Sequence, residues 1–345
     1  MSRKIVILTD GHTNPHTAKT ASSVIRYRPD EVLALLDRSE SGRTTQELLA
    51  VGGTTPIVAR LDQVPDANTL LIGIAPPGGT IPGEWRQIIL EAINRGMDVV
   101  SGLHEFISDD EEFASAAKLK KVNLVDVRKN HFKRIARRQG LDERCLRIHT
   151  VGHDCSVGKM VTSIEIAERL QQQGHDAKFV ATGQTGIMVE GDGLPIDCVV
   201  ADFISGAAER LVLDNQDHEI LLIEGQGSLV HPSYSGVTLG LLHGCSPHGM
   251  ILCYEVGRAT VTGVEHVSIP PLEVIKQLYE TMASVLQTSR VIGISMNSRR
   301  ISEKAADEER KRLQDEFELP VCDVFRHGPD DLVEAVLKLK AERHS

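Results

Sequence analysis

Aromatic residues make up only 3% of the 345-residue chain, with a single tryptophan. That scarcity excludes a base-stacking platform for nucleic acid and the aromatic belts of a membrane interface. Net positive charge is missing too. Forty-eight acidic against 38 basic side chains leave a formal charge of −10, so a nucleic-acid partner, which needs a basic footprint, is not expected. No stretch approaches the roughly 18 apolar residues of a membrane span. The opening Met-Ser-Arg-Lys-Ile-Val-Ile-Leu-Thr-Asp carries only a short apolar run and reads as a first strand, not a signal peptide. The six cysteines (Cys145, Cys155, Cys198, Cys245, Cys253, Cys322) form no C-x-x-C pair; they read as reduced thiols of a cytoplasmic protein. No two of the 14 histidines have the spacing of ligands on one helix, so no zinc site is expected. Internal repeats and low-complexity tracts are absent.

What is present is an α/β pattern. With 41% hydrophobic and 25% charged residues, the chain can build packed cores, and its length suggests two domains. Short β-branched runs alternate with helical periodicity, the signature of parallel layering. Strands are predicted at 4–8, 31–35, 69–75, 98–101 and 123–126, with helices at 17–27, 44–51, 85–95, 109–119 and 131–139. The basic, apolar-poor stretch 128–144 marks a boundary. Beyond it come strands at 147–151, 177–181, 220–224, 250–255, 290–297 and 321–325, and helices at 159–173, 271–286, 302–317 and 330–343. Two parallel-sheet domains, 1–140 and 145–345, are therefore expected. The strand order is not readable. Ligands of such sheets bind at the loops after the carboxyl ends of the strands.

The strongest local signal is Thr150-Val151-Gly152-His153-Asp154-Cys155-Ser156-Val157-Gly158-Lys159-Met160. It lies between an apolar strand and an amphipathic helix, where a phosphate-binding loop belongs. Backbone N–H groups there would face an anion, Lys159 would add charge, and Gly158 would permit close approach. The alternative is a helix N-terminus with an incidental Gly-Lys. Five residues rather than four separate Gly152 from Gly158, and Met160 stands where a magnesium-holding hydroxyl is usual. Either Asp154, Asp202 or Glu224 would hold a metal, or the loop binds a diphosphate, such as that of coenzyme A, without transferring phosphate. Lys159 is expected to be exposed.

The loop resembles that of dethiobiotin synthetase. A resemblance over almost the whole chain rests on Ala18-Lys19-Thr20, Ile72-Gly73-Ile74-Ala75-Pro76-Pro77-Gly78-Gly79, Ser101-Gly102-Leu103-His104-Glu105-Phe106, Val180-Ala181-Thr182-Gly183-Gln184-Thr185-Gly186-Ile187, Ile223-Glu224-Gly225-Gln226-Gly227-Ser228-Leu229 with His231-Pro232, and Leu241-Leu242-His243-Gly244. These stretches resemble the two-domain P-loop family, formerly of unknown function, that includes D-glutamate N-acetyltransferase. The resemblance implies an N-terminal Rossmann-like domain, a C-terminal P-loop NTPase-like domain and acetyl-CoA as donor; Met160 fits that family's pattern. It also implies that Asn297, after a late strand, reads adenine.

Glu224 ends an apolar strand beside two glycines, where an acid can bind magnesium, orient an amine or act as general base; a helix cap is the bland alternative. Gln184 and Thr185 suit a ligand-facing loop or a plain turn. Asp202 is a metal ligand or an N-cap. His104, His231 and His243 lie in loops and can accept a proton near neutral pH. Cys155 is an acyl carrier or a small loop residue. Arg258 binds a phosphate or a substrate carboxylate, or is simply exposed. Lys19 and Pro76-Pro77-Gly78-Gly79 are candidates for lining a cleft.

The combined expectation is an acetyl-CoA-dependent N-acetyltransferase acting on a small acidic amino acid, D-glutamate first. Gly152, Asp154, Ser156, Gly158, Lys159, Met160 and Asn297 would bind the coenzyme. Glu224, His231 or His243 would be the base, and Gln184, Thr185, Gln226, Ser228 and Arg258 would surround the substrate, with oxyanion donors from 225–228. The alternatives are an ATP/magnesium-dependent ligase or kinase and a non-catalytic nucleotide-binding module. A homo-oligomer is expected.

Overall fold

The computed structural model describes residues 3–74, 79–285 and 287–344. Residues 76–78 of the expected cleft-lining loop, and Leu286 at the expected end of a helix, lie outside these. The chain divides into two compact units, Met1–Asn130 with Ile187–Gly191, and His131–Gly186 with Asp192–Ser345.

The first unit runs β1 (Ile5–Leu8), α1 (Lys19–Tyr27), β2 (Val32–Leu36), α2 (Thr45–Leu49), β3 (Ile57–Val58), β4 (Thr69–Ile72), α3 (Arg86–Asn94), β5 (Asp98–Ser101), α4 (Glu111–Lys120) and β6 (Leu124–Asp126). Its sheet is parallel in the order β3-β2-β1-β4-β5-β6, the Rossmann order. The two central strands, β1 and β4, are buried along their whole length, as strands covered on both faces must be. The loop after β1 lacks the glycine-rich dinucleotide fingerprint. Instead Asp37, just past β2, accepts from Gly11 N and Thr13 Oγ1 at 3.1 and 2.6 Å. The carboxylate that often reads a ribose in this topology closes its own loop here.

The second unit runs β7 (Leu146–Gly152), α5 (Lys159–Gln172), β8 (Ala177–Val180), the start of α6 (Gln184–Glu190, whose residues from Ile187 on belong to the first unit), α7 (Ile204–Asn215), β9 (Ile220–Ile223), α8 (Ser235–Cys245), β10 (Gly249–Glu255), β11 (Thr260–Val261), β12 (Val264–Ser268), α9 (Leu272–Ala283), β13 (Arg290–Asn297), α10 (Glu303–Phe317), β14 (Val321–Cys322) and α11 (Asp330–His344). Its sheet is also parallel, in the order β14-β13-β10-β7-β9-β8; β11 and β12 form a hairpin. Placing β7 between β10 and β9 brings the ends of three strands around one loop.

Two expectations need correction. Residues 131–139 are not helical, and the units divide at Asn130–His131, not near 140. The physical reason is the buried Glu209 of α7. Its carboxylate accepts from the backbone N–H of Arg137 at 3.0 Å and of Arg138 at 2.6 Å. A helix would use those amides internally. Phe132 and Leu141 pack on the same core as α7, so the basic stretch is a strap on the second unit. Of helices α6, α7 and α8, only α7 was anticipated, as the helical run that an N-cap at Asp202 implies. Helices α7 and α8 pack closely because Gly240 faces Ile204 and Gly244 faces the Ser205 carbonyl.

The strap gives a test. A Cβ on Gly206 would run into the Arg134 carbonyl, whereas one on Gly236, in α8, would meet nothing within 4 Å. We expect Gly206→Ala to cost about 2 kcal/mol, overpacking outweighing the gain in helix propensity. Gly236→Ala should stabilise by roughly 0.5–1 kcal/mol. Urea unfolding of both variants measures the difference.

Candidate functional site

Gly152 closes β7, and the chain then turns through Ser156 at φ 55° and Gly158 at φ 108° into α5. Only glycine holds the second of these angles without strain. The start of α5 directs unpaired N–H groups into the loop, a setting that suits an anion. Lys159 folds back beneath the loop, and its Nζ donates to the Asp154 carbonyl at 2.8 Å. It is only 6% exposed, contrary to expectation. Burial pushes its pKa down, while the field of Glu224 is among the opposing influences. A Cβ on Gly152 would stand 3.1 Å from Nζ. Met160 is half-buried on the first turn of the helix and Ser156 is exposed.

The loop is clamped from the side of β10. The buried Asp154 carboxylate accepts from Arg258 Nη1 at 2.9 Å and from Thr262 N and Oγ1 at 2.9 and 2.8 Å. Arg258 also donates to the Cys155 carbonyl at 2.6 Å and pairs with Glu255. Its guanidinium is therefore held by two carboxylates and is not a free cation for a substrate carboxylate. Asp154 is likewise a loop clamp and not an open metal ligand. A cavity of about 170 Å³ lies behind Arg258, lined by His153, Tyr254, Glu255, Gly257, Arg258, Ile269, Pro270, Leu272 and Arg312. That is below the roughly 300 Å³ at which ligand pockets begin.

On the other flank, Glu224 follows β9 with its carboxylate buried. It accepts from Thr182 N at 2.8 Å and Gly183 N at 3.1 Å. Burial pushes its pKa up to about 7, against the pull of those two amides and of Lys159. Gly225 N donates to Thr150 Oγ1 at 3.0 Å. A side chain at 225 would collide with the Thr150 carbonyl and with Lys159 Cδ, so glycine is required for β9 to approach the lysine. Gln226 Nε2 donates to Thr182 Oγ1 at 3.1 Å. Gly183 and Gly186, which bracket Gln184 and Thr185, present no Cβ towards Gln226 and Glu224. Gly152, Lys159, Glu224 and Gln226 thus lie together at the ends of β7 and β9, and the glycines on either side of Gln184 and Thr185 face Gln226 and Glu224.

Other candidates sit differently. His231 lies beside the loop, but Ser233 N donates to its Nδ1 and its Nε2 donates to the Thr262 carbonyl, both at 3.1 Å. Both ring nitrogens are thus engaged by the backbone. His231, Asp154 and Cys155 bring ligand atoms within 4.8 Å of one another, yet the bonds just given occupy the first two. His243 donates from Nε2 to Met282 O of α9 at 3.0 Å. Among the described residues its ring makes no bond to Glu224 or to the loop. Ser228 is buried, its Oγ taken by Val230 N at 3.3 Å. Asn297 ends β13 half-buried, its Oδ1 accepting from Arg299 N at 3.3 Å. Asp202 is exposed in a turn before α7. Sequence reasoning missed Thr150, Thr182, Thr262, Glu255 and Tyr279, whose hydroxyl donates to Gly152 O at 2.9 Å and accepts from Leu229 N at 3.2 Å. For Thr182 the Thr-Gly after a buried strand was a usable signal. For Glu255 nothing in the sequence announced its partners.

Comparison with known proteins follows this division. Residues 132–333 match a family profile described as a domain of unknown function (DUF1611_C), P-loop domain, and residues 38–130 match its Rossmann-like counterpart, DUF1611_N. A protein of Tritonibacter scottomollicae named D-glutamate N-acetyltransferase is 37% identical over 92% of this chain and 94% of its own. One of the same name from a Pseudoalteromonas species is 41% identical over 77% of this chain and 80% of its own. The crystal structure of a DUF1611 family protein from Anabaena variabilis has a TM-score of 0.92 at 35% identity, covering 97% of this chain and 99% of that one. No helix among the described residues is long and apolar enough to cross a membrane.

The raised pKa of Glu224 has a measurable sign. The folded protein holds this proton up to about pH 7, whereas the unfolded chain releases it near 4.5, so stability falls as pH rises between the two. The loss is ~3 kcal/mol at most. Glu224→Gln abolishes it. The variant should exceed the wild type in unfolding free energy at pH 8, by an amount that shrinks towards pH 5. Denaturant titrations of both proteins at the two pH values measure this; a difference that does not change with pH refutes the assignment.

Proposed function

The chain belongs to the DUF1611 family, and we propose that it is an acetyl-CoA-dependent N-acetyltransferase whose acceptor is a small acidic amino acid, D-glutamate first. The observation that carries this reading is Glu224, a buried carboxyl with a pKa of about 7 set next to the loop lysine. A base for an amine nucleophile works best when its pKa lies near the operating pH. The names of the full-length relatives support the acceptor and the acyl transfer.

The residues present suit the coenzyme. The amides of 156–158, the start of α5 and Lys159 offer a cradle for a pyrophosphate, and Asn297, at the end of β13 two strands from β7, would meet the adenine. The coenzyme supplies an acetyl thioester. Glu224 would take a proton from the substrate ammonium and release the lone pair. The nitrogen would attack the thioester carbonyl, forming the C–N bond; the C–S bond then breaks, and the thiolate takes up the second proton that the nitrogen sheds. Gln226 and the N–H groups of 226–228 would serve as donors to the developing oxyanion. With Arg258 occupied, Gln184, Thr185 and Gln226 would orient the acceptor. The ATP/magnesium alternative is disfavoured by the donor set: Met160 offers no hydroxyl, and Asp154 is bonded to Arg258 and Thr262.

Thiol release from acetyl-CoA with a panel of D- and L-amino acids tests the proposal. D-glutamate should give the highest kcat/KM. Glu224→Gln should lower kcat by roughly 10²- to 10⁴-fold with little change in coenzyme affinity. Lys159→Ala should weaken acetyl-CoA binding by about 10- to 100-fold in calorimetric titration, the worth of one charge-assisted contact. Binding of ATP–magnesium but not of acetyl-CoA, with ADP formed in the presence of an acceptor, would replace the acetyltransferase by a ligase.

A further inference from the structure

Three guanidinium groups converge on one buried carboxylate at the carboxyl ends of β10 and β13. Glu255, the last residue of β10, pairs with Arg258 through Oε2 and with Arg299 and Arg300 through Oε1, the latter two at 2.8 and 3.2 Å. Arg258 reaches on to Asp154 and to the Cys155 carbonyl, so the cluster is continuous with the phosphate loop. Three cations face two carboxylates, and the surplus positive charge lies at the outer end. There Arg299 and Arg300 are 39% and 57% exposed, and among the described residues their ion pairs are to Glu255 alone.

The segment presenting them is fixed. Ser298 N and Oγ donate to the Asp323 carboxylate at 2.9 and 2.6 Å. Arg326 donates to the carbonyls of Ser298 and Ile301 at 3.1 and 2.8 Å. Asn297, one residue back, accepts from Arg299 N. Two guanidiniums, oriented from below by Glu255 and carried on a pinned turn, form a preorganised fork for a phosphate monoester. A ribose 3′-hydroxyl needs no such pair of charges; a ribose 3′-phosphate does.

Building on the acetyl-CoA reading above, we propose that Arg299 and Arg300 form the subsite for the ribose 3′-phosphate of the coenzyme, the group that distinguishes it from ATP. The loop and Lys159 would hold the pyrophosphate, and the arginine pair would select against nucleotides that end in a free 3′-hydroxyl.

Calorimetric titration of the full-length protein with coenzyme A, dephospho-coenzyme A and ATP–magnesium tests this without any turnover. The wild type should bind coenzyme A about 10- to 100-fold tighter than dephospho-coenzyme A. The double variant Arg299→Ala/Arg300→Ala should bring coenzyme A down to the dephospho level and leave dephospho-coenzyme A unchanged, since Glu255 keeps Arg258. Equal wild-type affinity for the two, a comparison that requires no variant, overturns the subsite while leaving the acetyl-CoA reading standing. Equal weakening of both ligands in the double variant overturns it too, by showing only a general field. Binding of ATP–magnesium alone overturns the acetyl-CoA reading and the subsite with it.

Discussion

A buried ammonium group sets the terms for the second unit. Lys159 lies under its own loop with one carbonyl, that of Asp154, as hydrogen-bond acceptor and with Glu224 near enough for each to shift the other's pKa. A cation taken out of water needs compensation, and a carbonyl and a half-titrated carboxyl supply only part of it. Part of the remainder is relieved by the fall in the ammonium's own pKa, and an anion above the loop would supply more. Gly152, Gly158 and Gly225 fit the same picture. At each of them a side chain would crowd the lysine, crowd the strand behind it or strain the turn. The glycines give the backbone its reach, and the lysine gives it a reason to be filled.

The loop is held in shape by its own acid, which is occupied by protein groups. Asp154 binds Arg258 and Thr262, and Arg258 binds Glu255. This chain of charges joins β7 to β10 and to the hairpin β11–β12. A buried ion pair of this kind seldom adds much net stability, but breaking it strands an unpaired charge. Its effect is geometric: the loop backbone is held from one side, and the amides facing the other side are preorganised, which lowers the cost of binding.

Much of this was legible in the sequence. Strand runs at 147–151, 220–224 and 290–297 stand where expected because buried parallel strands are continuously apolar. Loop glycines and strand-end acids are likewise local features. The rest depended on partners distant in sequence. Helicity at 131–139 failed because Glu209, 71 or 72 residues further on, claims the amides. Arg258 reads as a free cation until Asp154 and Glu255 are seen on either side of it. Burial of Lys159 and the bond of His243 to α9 depend on how the elements are arranged around β7, which no run of residues spells out. The α7–α8 contact was readable in principle: Gly236, Gly240 and Gly244 recur at a spacing of four, and two of them meet α7.

Glu224 and Glu255 make the functional division plain. Both are buried glutamates at the ends of strands that flank β7, and propensity or burial alone would treat them alike. Burial pushes each carboxyl upwards. At Glu255 that push is overcome by Arg258, Arg299 and Arg300, and the group is held below its usual range. At Glu224 only two amides and Lys159 oppose it, and the carboxyl rises to about 7. Oppositely shifted acids on one sheet edge take different work. Glu255 stays charged across the physiological range and organises arginines. Glu224 gains and loses a proton there, and does so beside the loop lysine, with glycines leaving space around it. An anion held at Lys159 would lie next to a carboxyl able to exchange a proton near neutral pH. The order of three strands, β10-β7-β9, produces that adjacency, whereas the contrast between the two glutamates comes from the side chains around them.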